Sequence, residues 1–284
     1  MYSGPIINIH THLRLTDDFE KRVNNWRKWK MRKVVCLMSN ARRRHKGYFT
    51  NDDFLQMQNK YADIIVPFAS VNLLASQLDH PDRIDFFKEK GFFGLKFEDN
   101  SYPYNHEVYW PLYERAEQLR LPILFHVGNL AHVGVVEGVN RDKRDGIDGE
   151  NMRPYRLDKV ARSFPDLTMV GAHLGDPHYN EAIELMGDYT NLFFDFSGGC
   201  GSKLWVRRIT AALMPPLPGA KMDDPQENPS LDLFAKKLVF GTDNPEPDIW
   251  MPASEFIMDT LQIPEIIREN FYYLTAAKIL GCKD

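Results

Sequence analysis

The stretch Ile6-Ile7-Asn8-Ile9-His10-Thr11-His12 lies close to the start of the chain and decides how the rest is interpreted. Its short, mostly apolar run is typical of a buried strand in a parallel sheet that is covered on both faces. Alternate side chains of a strand point the same way and lie about 6–7 Å apart, so His10 and His12 would project side by side. Alone, the pair is compatible with a metal site or with two hydrogen-bonded histidines at a strand end.

The composition is that of a globular protein with a large core. The chain has 284 residues, of which 43% are hydrophobic and 26% charged, with a net charge of −4. This charge gives no overall attraction to nucleic acid or anionic membranes, and no apolar segment reaches the roughly 18–20 residues that cross a bilayer. The N-terminus lacks a signal-peptide pattern, and three scattered cysteines are typical of reduced thiols. We therefore expect a cytoplasmic protein that acts on a small molecule, without nucleic acid or membrane as a partner.

Seven further apolar strands follow the first, separated by helical patterns. They are predicted at 33–38, 64–69, 93–97, 122–127, 167–173, 191–196 and 237–243. Eight strands that alternate with helices indicate an α/β protein with one closed (β/α)8 TIM barrel, a single domain over residues 1–284. A doubly wound open sheet is the alternative, which the lack of a glycine-rich turn after the first strand disfavours. The long loops 129–153 and 214–229 are expected to decorate the rim.

Polar residues stand at the ends of these strands. The carboxyl ends of all strands in a barrel open on one face, where the chemistry takes place. A single buried histidine or aspartate is usually structural, but a whole set at one end indicates a metal site. The set comprises His10, His12, Lys96, His126, His173, Asp195 and Asp243.

Motifs at these positions resemble the amidohydrolase superfamily, and within it the amidohydrolase-2 branch, which also contains decarboxylases. The motifs are His10-Thr11-His12, Gly94-Leu95-Lys96, His126, Gly171-Ala172-His173 and Gly241-Thr242-Asp243. The resemblance covers nearly the whole chain. The ordered set is specific, although each motif alone is weak.

The resemblance implies that His10, His12, His126 and Asp243 hold one divalent ion, with His173 beside it. Three imidazoles and a carboxylate suit Zn²⁺, which keeps one position for a water and lowers its pKa to about 7. Mn²⁺, Fe²⁺ and Co²⁺ fit similar ligands. Asp243 is then expected to accept a proton from the water, and His173 to polarise a substrate carbonyl or move a proton.

Further residues are candidates on the substrate side. Arg14 follows the histidine pair, and its guanidinium would bind a substrate carboxylate. In binuclear relatives a lysine of the fourth strand is carboxylated and bridges two metals. For Lys96 a structural or substrate-binding ammonium is expected instead, because the branch is typically mononuclear. Asp195 would contact the substrate, orient a histidine or make a plain strand-end hydrogen bond. For the basic run at 42–46, a solvated loop is favoured over a clamp for a carboxylate.

These features predict a metal-dependent hydrolase that acts through an activated water on a C–O or C–N bond of a small, carboxylate-bearing substrate. The alternative is a non-oxidative decarboxylase of an aromatic or unsaturated carboxylic acid, which would use the same metal site. A barrel retained as a binding or scaffold protein is a third reading, disfavoured by the complete ligand set. Barrels of this kind often pair, so a homodimer is an alternative to a monomer.

Overall fold

The protein is described by a computed structural model that covers residues 1–57, 60–128, 146–213, 224, 227–244 and 246–282. The two predicted rim loops fall largely outside this part of the chain, at 129–145 and at 214–223, 225 and 226. Among the described helices, none combines the length and the apolarity needed to cross a membrane.

Eight strands form one sheet in the order of the sequence, so that each pairs with its neighbours along the chain. They are β1 (Ile6–His12), β2 (Met31–Leu37), β3 (Ile65–Ser70), β4 (Gly94–Phe97), β5 (Ile123–Phe125), β6 (Met169–Gly171), β7 (Leu192–Asp195) and β8 (Leu238–Val239). Ile9 N–H donates to the Phe240 carbonyl at 2.9 Å, and Thr242 N–H donates to the His10 carbonyl at 2.9 Å. These bonds join the first strand to the end of the last, as the predicted (β/α)8 barrel requires.

Helices connect the strands in the predicted alternation. They are α1 (Phe19–Lys28), α2 (Asn51–Gln56), α3 (Asp82–Glu89), α4 (Trp110–Gln118), α5 (Asp158–Ser163), α6 (Tyr179–Asp188), α7 (Lys203–Ala212), α8 (Ser230–Lys236), α9 (Pro247–Thr260), α10 (Glu265–Glu269) and α11 (Thr275–Leu280). Side-chain caps fix two of their starts, because Asp18 accepts from Lys21 N–H and Ser202 accepts from Trp205 N–H.

The chain divides into two compact units. The terminal unit comprises Met1–Cys36, Asn59–Val66 and Phe193–Asp284, and the central unit comprises Leu37–Gln58 and Pro67–Leu192. The description of residues 1–284 as a single domain stays a prediction.

Each unit has its own aromatic core. In the terminal unit, the rings of Phe196 and Phe271 stack with centroids 5.0 Å apart. In the central unit, Phe97 of β4 lies 5.4 Å from Phe125 of β5 and 5.7 Å from Tyr113 of α4, measured between ring centroids. These rings are buried, and their packing holds strands and helices together within each unit.

Several strands end earlier than their apolar patterns predict, and the fifth, expected to reach residue 127, ends at Phe125. The sixth was expected to reach residue 173 but ends at Gly171, and the eighth was expected to reach residue 243 but ends at Val239. His173 and Asp243 have φ values of 62° and 59°, in the left-handed region, which lies outside the β region that regular strands adopt. Asp243 nevertheless forms an isolated bridge with Thr11, so it stays beside β1.

Candidate metal centre

Three residues predicted as metal ligands lie together in the terminal unit. The Nε2 atoms of His10 and His12 lie 3.6 Å and 3.5 Å from Oδ1 of Asp243. One ligand atom from each of the three residues lies within 4.8 Å of the other two, a grouping that could hold a metal ion. The strand that opens the chain and the segment after the last strand therefore supply one cluster.

The separations within this cluster suit a tetrahedral ion. Bonds of about 2.0–2.1 Å from zinc to nitrogen and oxygen put neighbouring ligand atoms about 3.4 Å apart. The separations from Asp243 to the two histidines are close to that value, so the ion would enter with little rearrangement. The His10 side chain is 1% exposed and that of Asp243 16% exposed, so the cluster borders solvent on the carboxylate side.

The backbone of Asp243 is held in its left-handed conformation by β1. Its N–H donates to the His10 carbonyl at 2.8 Å, and its carbonyl accepts from His12 N–H at 3.2 Å and from the Thr11 hydroxyl at 3.0 Å. Two residues earlier, a Cβ on Gly241 would lie 2.9 Å from the Cβ of His10. Glycine at 241 therefore permits the close approach on which these hydrogen bonds depend.

Asp195 fixes the orientation of His10. This carboxylate is fully buried, and its Oδ1 accepts from the Ser197 N–H at 2.9 Å and from the Ser197 hydroxyl at 2.6 Å. Its Oδ2 lies 2.8 Å from Nδ1 of His10. An ionised carboxylate only accepts, so Nδ1 carries the proton and Nε2 presents its lone pair towards Asp243. The contact agrees with the expectation that Asp195 orients a histidine, and a substrate contact by Asp195 stays a prediction.

His126 and His173 form a second group, in the central unit. They follow β5 and β6, and their ring centroids lie 5.0 Å apart. The chain segments after the two strands approach closely, since a Cβ on Gly128 would lie 2.2 Å from the carbonyl oxygen of Asp176. These two strand-end histidines therefore lie near each other, and their catalytic or ligand roles stay predictions.

Tyr104 holds the backbone of His126. The tyrosine hydroxyl donates to the His126 carbonyl at 2.8 Å, and His126 N–H donates to the Phe97 carbonyl at 2.8 Å. Burial raises the pKa of Tyr104 well above its usual value of 10, so the hydroxyl keeps its proton and stays a donor.

Lys96 is 1% exposed and lies on β4 opposite Ser70 of β3 and Leu124 of β5. Its position on the sheet is as predicted, and its role towards a substrate stays a prediction.

The basic run after β2 differs from the expected solvated loop. Arg43 donates to both carboxylate oxygens of Asp99 at 3.1 and 2.7 Å and lies 3.4 Å from Glu98. Burial opposes the charge of Arg43, but these two carboxylates raise its pKa above the ordinary value. Arg44 is half exposed and pairs with Asp53. The guanidinium of Arg43 is therefore partly buried and engaged within the central unit.

Two residues that hydrogen-bond to the candidate metal centre were not found from the sequence. Asn244 donates through Nδ2 to Oδ1 of Asp243 at 3.0 Å. Arg22, on the first turn of α1, donates to the His12 carbonyl at 2.9 Å and to the Thr11 hydroxyl at 3.3 Å. The position of Asn244 directly after a predicted ligand was the one available signal, whereas Arg22 resembles an ordinary surface residue of an amphipathic helix.

The fold and the cluster define a class of protein, the (β/α)8 barrel enzymes with histidine and aspartate groups that could hold a metal at the strand ends. A family described as amidohydrolase, the amidohydrolase-2 family, matches residues 32–282. The chain belongs to this family, and it is a metal-dependent enzyme of the amidohydrolase type. A comparison with curated sequences gives no match.

Solved structures share the fold at low sequence identity. A probable 2-pyrone-4,6-dicarboxylic acid hydrolase from Acinetobacter baumannii, with citric acid bound, has a TM-score of 0.66 and 12% identity over 98% of this chain and 100% of its own. A 2,6-dihydroxybenzoate decarboxylase from Rhizobium has a TM-score of 0.63 and 15% identity, over 98% of this chain and 99% of its own. An uncharacterised TIM-barrel protein from Bordetella bronchiseptica has a TM-score of 0.62 and 19% identity, over 93% of this chain and 83% of its own. These similarities establish the TIM-barrel fold.

Proposed function

We propose that this enzyme hydrolyses a C–O or C–N bond of a small, carboxylate-bearing substrate, with one divalent ion held by His10, His12, His126 and Asp243. The observation that carries the proposal is the approach of Nε2 of His10 and Nε2 of His12 to Oδ1 of Asp243, at 3.6 and 3.5 Å. Nitrogen and oxygen ligands in this number suit Zn²⁺, while Mn²⁺, Fe²⁺ and Co²⁺ are alternatives.

The ion would supply a water that is activated at neutral pH. The chain's own residues have the remaining tasks. Asp195 keeps His10 in the tautomer whose Nε2 is free of a proton, because its carboxylate accepts from Nδ1 at 2.8 Å. The Asp243 carboxylate accepts a proton during attack on the substrate, and the imidazole of His173 polarises the reacting carbonyl or returns the proton to the leaving group.

The carboxylate of the substrate requires a cation. Lys96 is a buried lysine on β4, in the same unit as His126 and His173. An ammonium in a poorly hydrated site attracts a carboxylate more strongly than an exposed lysine does. We therefore assign the substrate carboxylate to Lys96.

The second candidate function is the decarboxylation of an aromatic or unsaturated carboxylic acid at the same centre. It is favoured by the similarity to the Rhizobium 2,6-dihydroxybenzoate decarboxylase, whose TM-score of 0.63 is close to the 0.66 of the Acinetobacter hydrolase. Both similarities lie below 20% identity.

Isotope labelling distinguishes the two reactions. The zinc-loaded enzyme is incubated with lactones, esters and amides of dicarboxylic acids, and with hydroxybenzoic acids, in water enriched in ¹⁸O and separately in D₂O. Hydrolysis puts ¹⁸O into a product carboxylate and releases no CO₂. Release of CO₂ with deuterium on the product carbon, and no ¹⁸O in the organic product, would overturn the hydrolase in favour of the decarboxylase. His12→Ala, purified in parallel, is the control for contaminating activities.

A further inference from the structure

The carboxylate of Asp243 is held by a chain of two side chains. Asn244 Nδ2 donates to Asp243 Oδ1 at 3.0 Å, and Asn244 Oδ1 accepts from Arg14 Nη2 at 2.9 Å. Both partners lie in the terminal unit with Asp243, and both are partly buried. The carboxylate oxygen that receives the amide hydrogen is the one that faces the Nε2 atoms of His10 and His12.

Arg14 determines which way the amide of Asn244 points. A guanidinium has only donors, so the oxygen of the amide must face Arg14 and the NH₂ group must face Asp243. The reverse orientation would direct the NH₂ group at the guanidinium and the amide oxygen at the carboxylate. Both of those contacts are unfavourable, since each joins two donors or two acceptors.

The backbone of Arg14 is itself fixed. Its N–H donates to Oδ2 of Asp17 at 2.7 Å, and Asp17 N–H donates back to the Arg14 carbonyl at 3.1 Å. The same Asp17 carboxylate accepts from Arg22, which also donates to the His12 carbonyl. The turn that carries Arg14 is therefore tied to the end of β1.

We propose that Arg14 and Asn244 are positioning residues of the metal centre: Arg14 orients the amide of Asn244, and the amide orients the carboxylate of Asp243 for the ion. The inference rests on the proposed function, and it gives Arg14 a different task from the substrate contact expected from the sequence. Removing a side chain that hydrogen-bonds to a metal ligand typically lowers the metal affinity about 10–100-fold.

The test measures the dissociation constant of Zn²⁺ from metal-free protein by competition with a chromophoric chelator. Asn244→Leu keeps the shape of the side chain without its hydrogen bonds, and Arg14→Met keeps much of the length of the chain without its charge. Both variants are expected to bind Zn²⁺ about 10–100-fold more weakly than the wild type. Arg14→Lys, which remains a donor, is expected to recover part of the loss. Arg27→Met, which removes an exposed ion pair with Asp63 in the same unit, is the matched control and keeps wild-type affinity.

Two further readouts separate positioning from general damage. Urea unfolding of the metal-free variants is expected to match the wild type, and the visible absorption of the Co²⁺ forms is expected to change, because the carboxylate sits differently on the ion. Wild-type Zn²⁺ affinity in both Asn244→Leu and Arg14→Met would overturn the inference, as would a rise in KM alone for Arg14→Met. If His12→Ala also kept wild-type affinity, the proposed metal centre would fail, and this inference with it.

Discussion

Nδ1 of His10 lies 2.8 Å from Oδ2 of Asp195, although 185 positions separate the two residues in the chain. His10 lies on β1 and Asp195 is the last residue of β7. The fold therefore brings a carboxylate to Nδ1 of a predicted metal ligand. Both side chains are buried, which keeps water from competing for the bond.

Replacing this carboxylate by an amide should weaken the metal centre. In Asp195→Asn the NH₂ group can donate to Nδ1 of His10, which would move the imidazole proton to Nε2, the nitrogen that faces Asp243. We expect the dissociation constant of Zn²⁺ to rise about 10–100-fold. Ser197→Ala, which removes a hydroxyl that donates to Asp195 at 2.6 Å, is the milder comparison. Equal Zn²⁺ affinity in Asp195→Asn and the wild type would show that this bond does not set the tautomer.

His173→Asn should separate metal binding from turnover. The proposal gives His173 a proton-transfer or polarising role and no bond to the ion, so the variant should keep its zinc. Loss of a general acid or base lowers the rate by about 10²–10⁴-fold. Zinc content and kcat measured on the same preparation test this prediction. Full activity would remove His173 from the mechanism, and loss of the zinc would make it a ligand.

Arg43→Met should lower stability more than the substitution of an exposed arginine does. The variant leaves the Glu98 and Asp99 carboxylates without this partner, and the Glu98 side chain is 1% exposed. Removing one member of a buried ion pair costs about 3–5 kcal/mol, whereas an exposed pair contributes about 1 kcal/mol or less. Because Arg43 remains 21% exposed, the lower end of that range, about 3 kcal/mol, is expected.

Urea unfolding at neutral pH measures this difference, with Arg27→Met as the comparison for an exposed pair. A loss in Arg43→Met no larger than in Arg27→Met would contradict the structural role. A large rise in KM at unchanged stability would instead indicate that Arg43 binds the substrate carboxylate, which is the alternative that the sequence allows for the basic run.

Cys36 should be chemically inert in the native protein. It is fully buried in β2, and burial raises the pKa of its thiol to about 12, so the thiolate that reacts with disulfide reagents is scarce at pH 8. Cys36 is expected to resist labelling until the protein is unfolded, and Cys36→Ala is expected to keep turnover. Mass spectrometry of peptides labelled at pH 8, with and without urea, locates the modified thiol. Rapid labelling of Cys36 before unfolding would contradict the burial.

Sequence patterns located the strands because apolar runs separated by amphipathic segments are a strong signal. β1 has the predicted bounds, Ile6–His12. The sixth and eighth strands were predicted too long, since an apolar run does not reveal where the backbone turns to the left-handed conformation, as it does at His173 and Asp243.

The candidate ligands were identifiable for a different reason. Histidine and aspartate directly after apolar strands are unusual, and the barrel gathers strand ends on one face. Asn244 and Arg22 carry no such pattern, because their roles depend on which atoms they meet after folding. The basic run was judged by its charge alone, and the carboxylates that engage Arg43 lie in a distant part of the sequence.

We propose that one ion is held by His10, His12 and Asp243, together with His126. The most direct test of this proposal is the metal content, by inductively coupled plasma mass spectrometry, of protein that is purified without chelators, offered Zn²⁺ and then desalted. We expect about one equivalent of zinc per chain in the wild type and in His80→Ala, whose histidine is exposed. We expect little or none in His10→Ala, His12→Ala and Asp243→Ala. Wild-type protein that takes up neither zinc nor manganese, iron or cobalt, or a His12→Ala variant that keeps the full equivalent, would contradict the proposal.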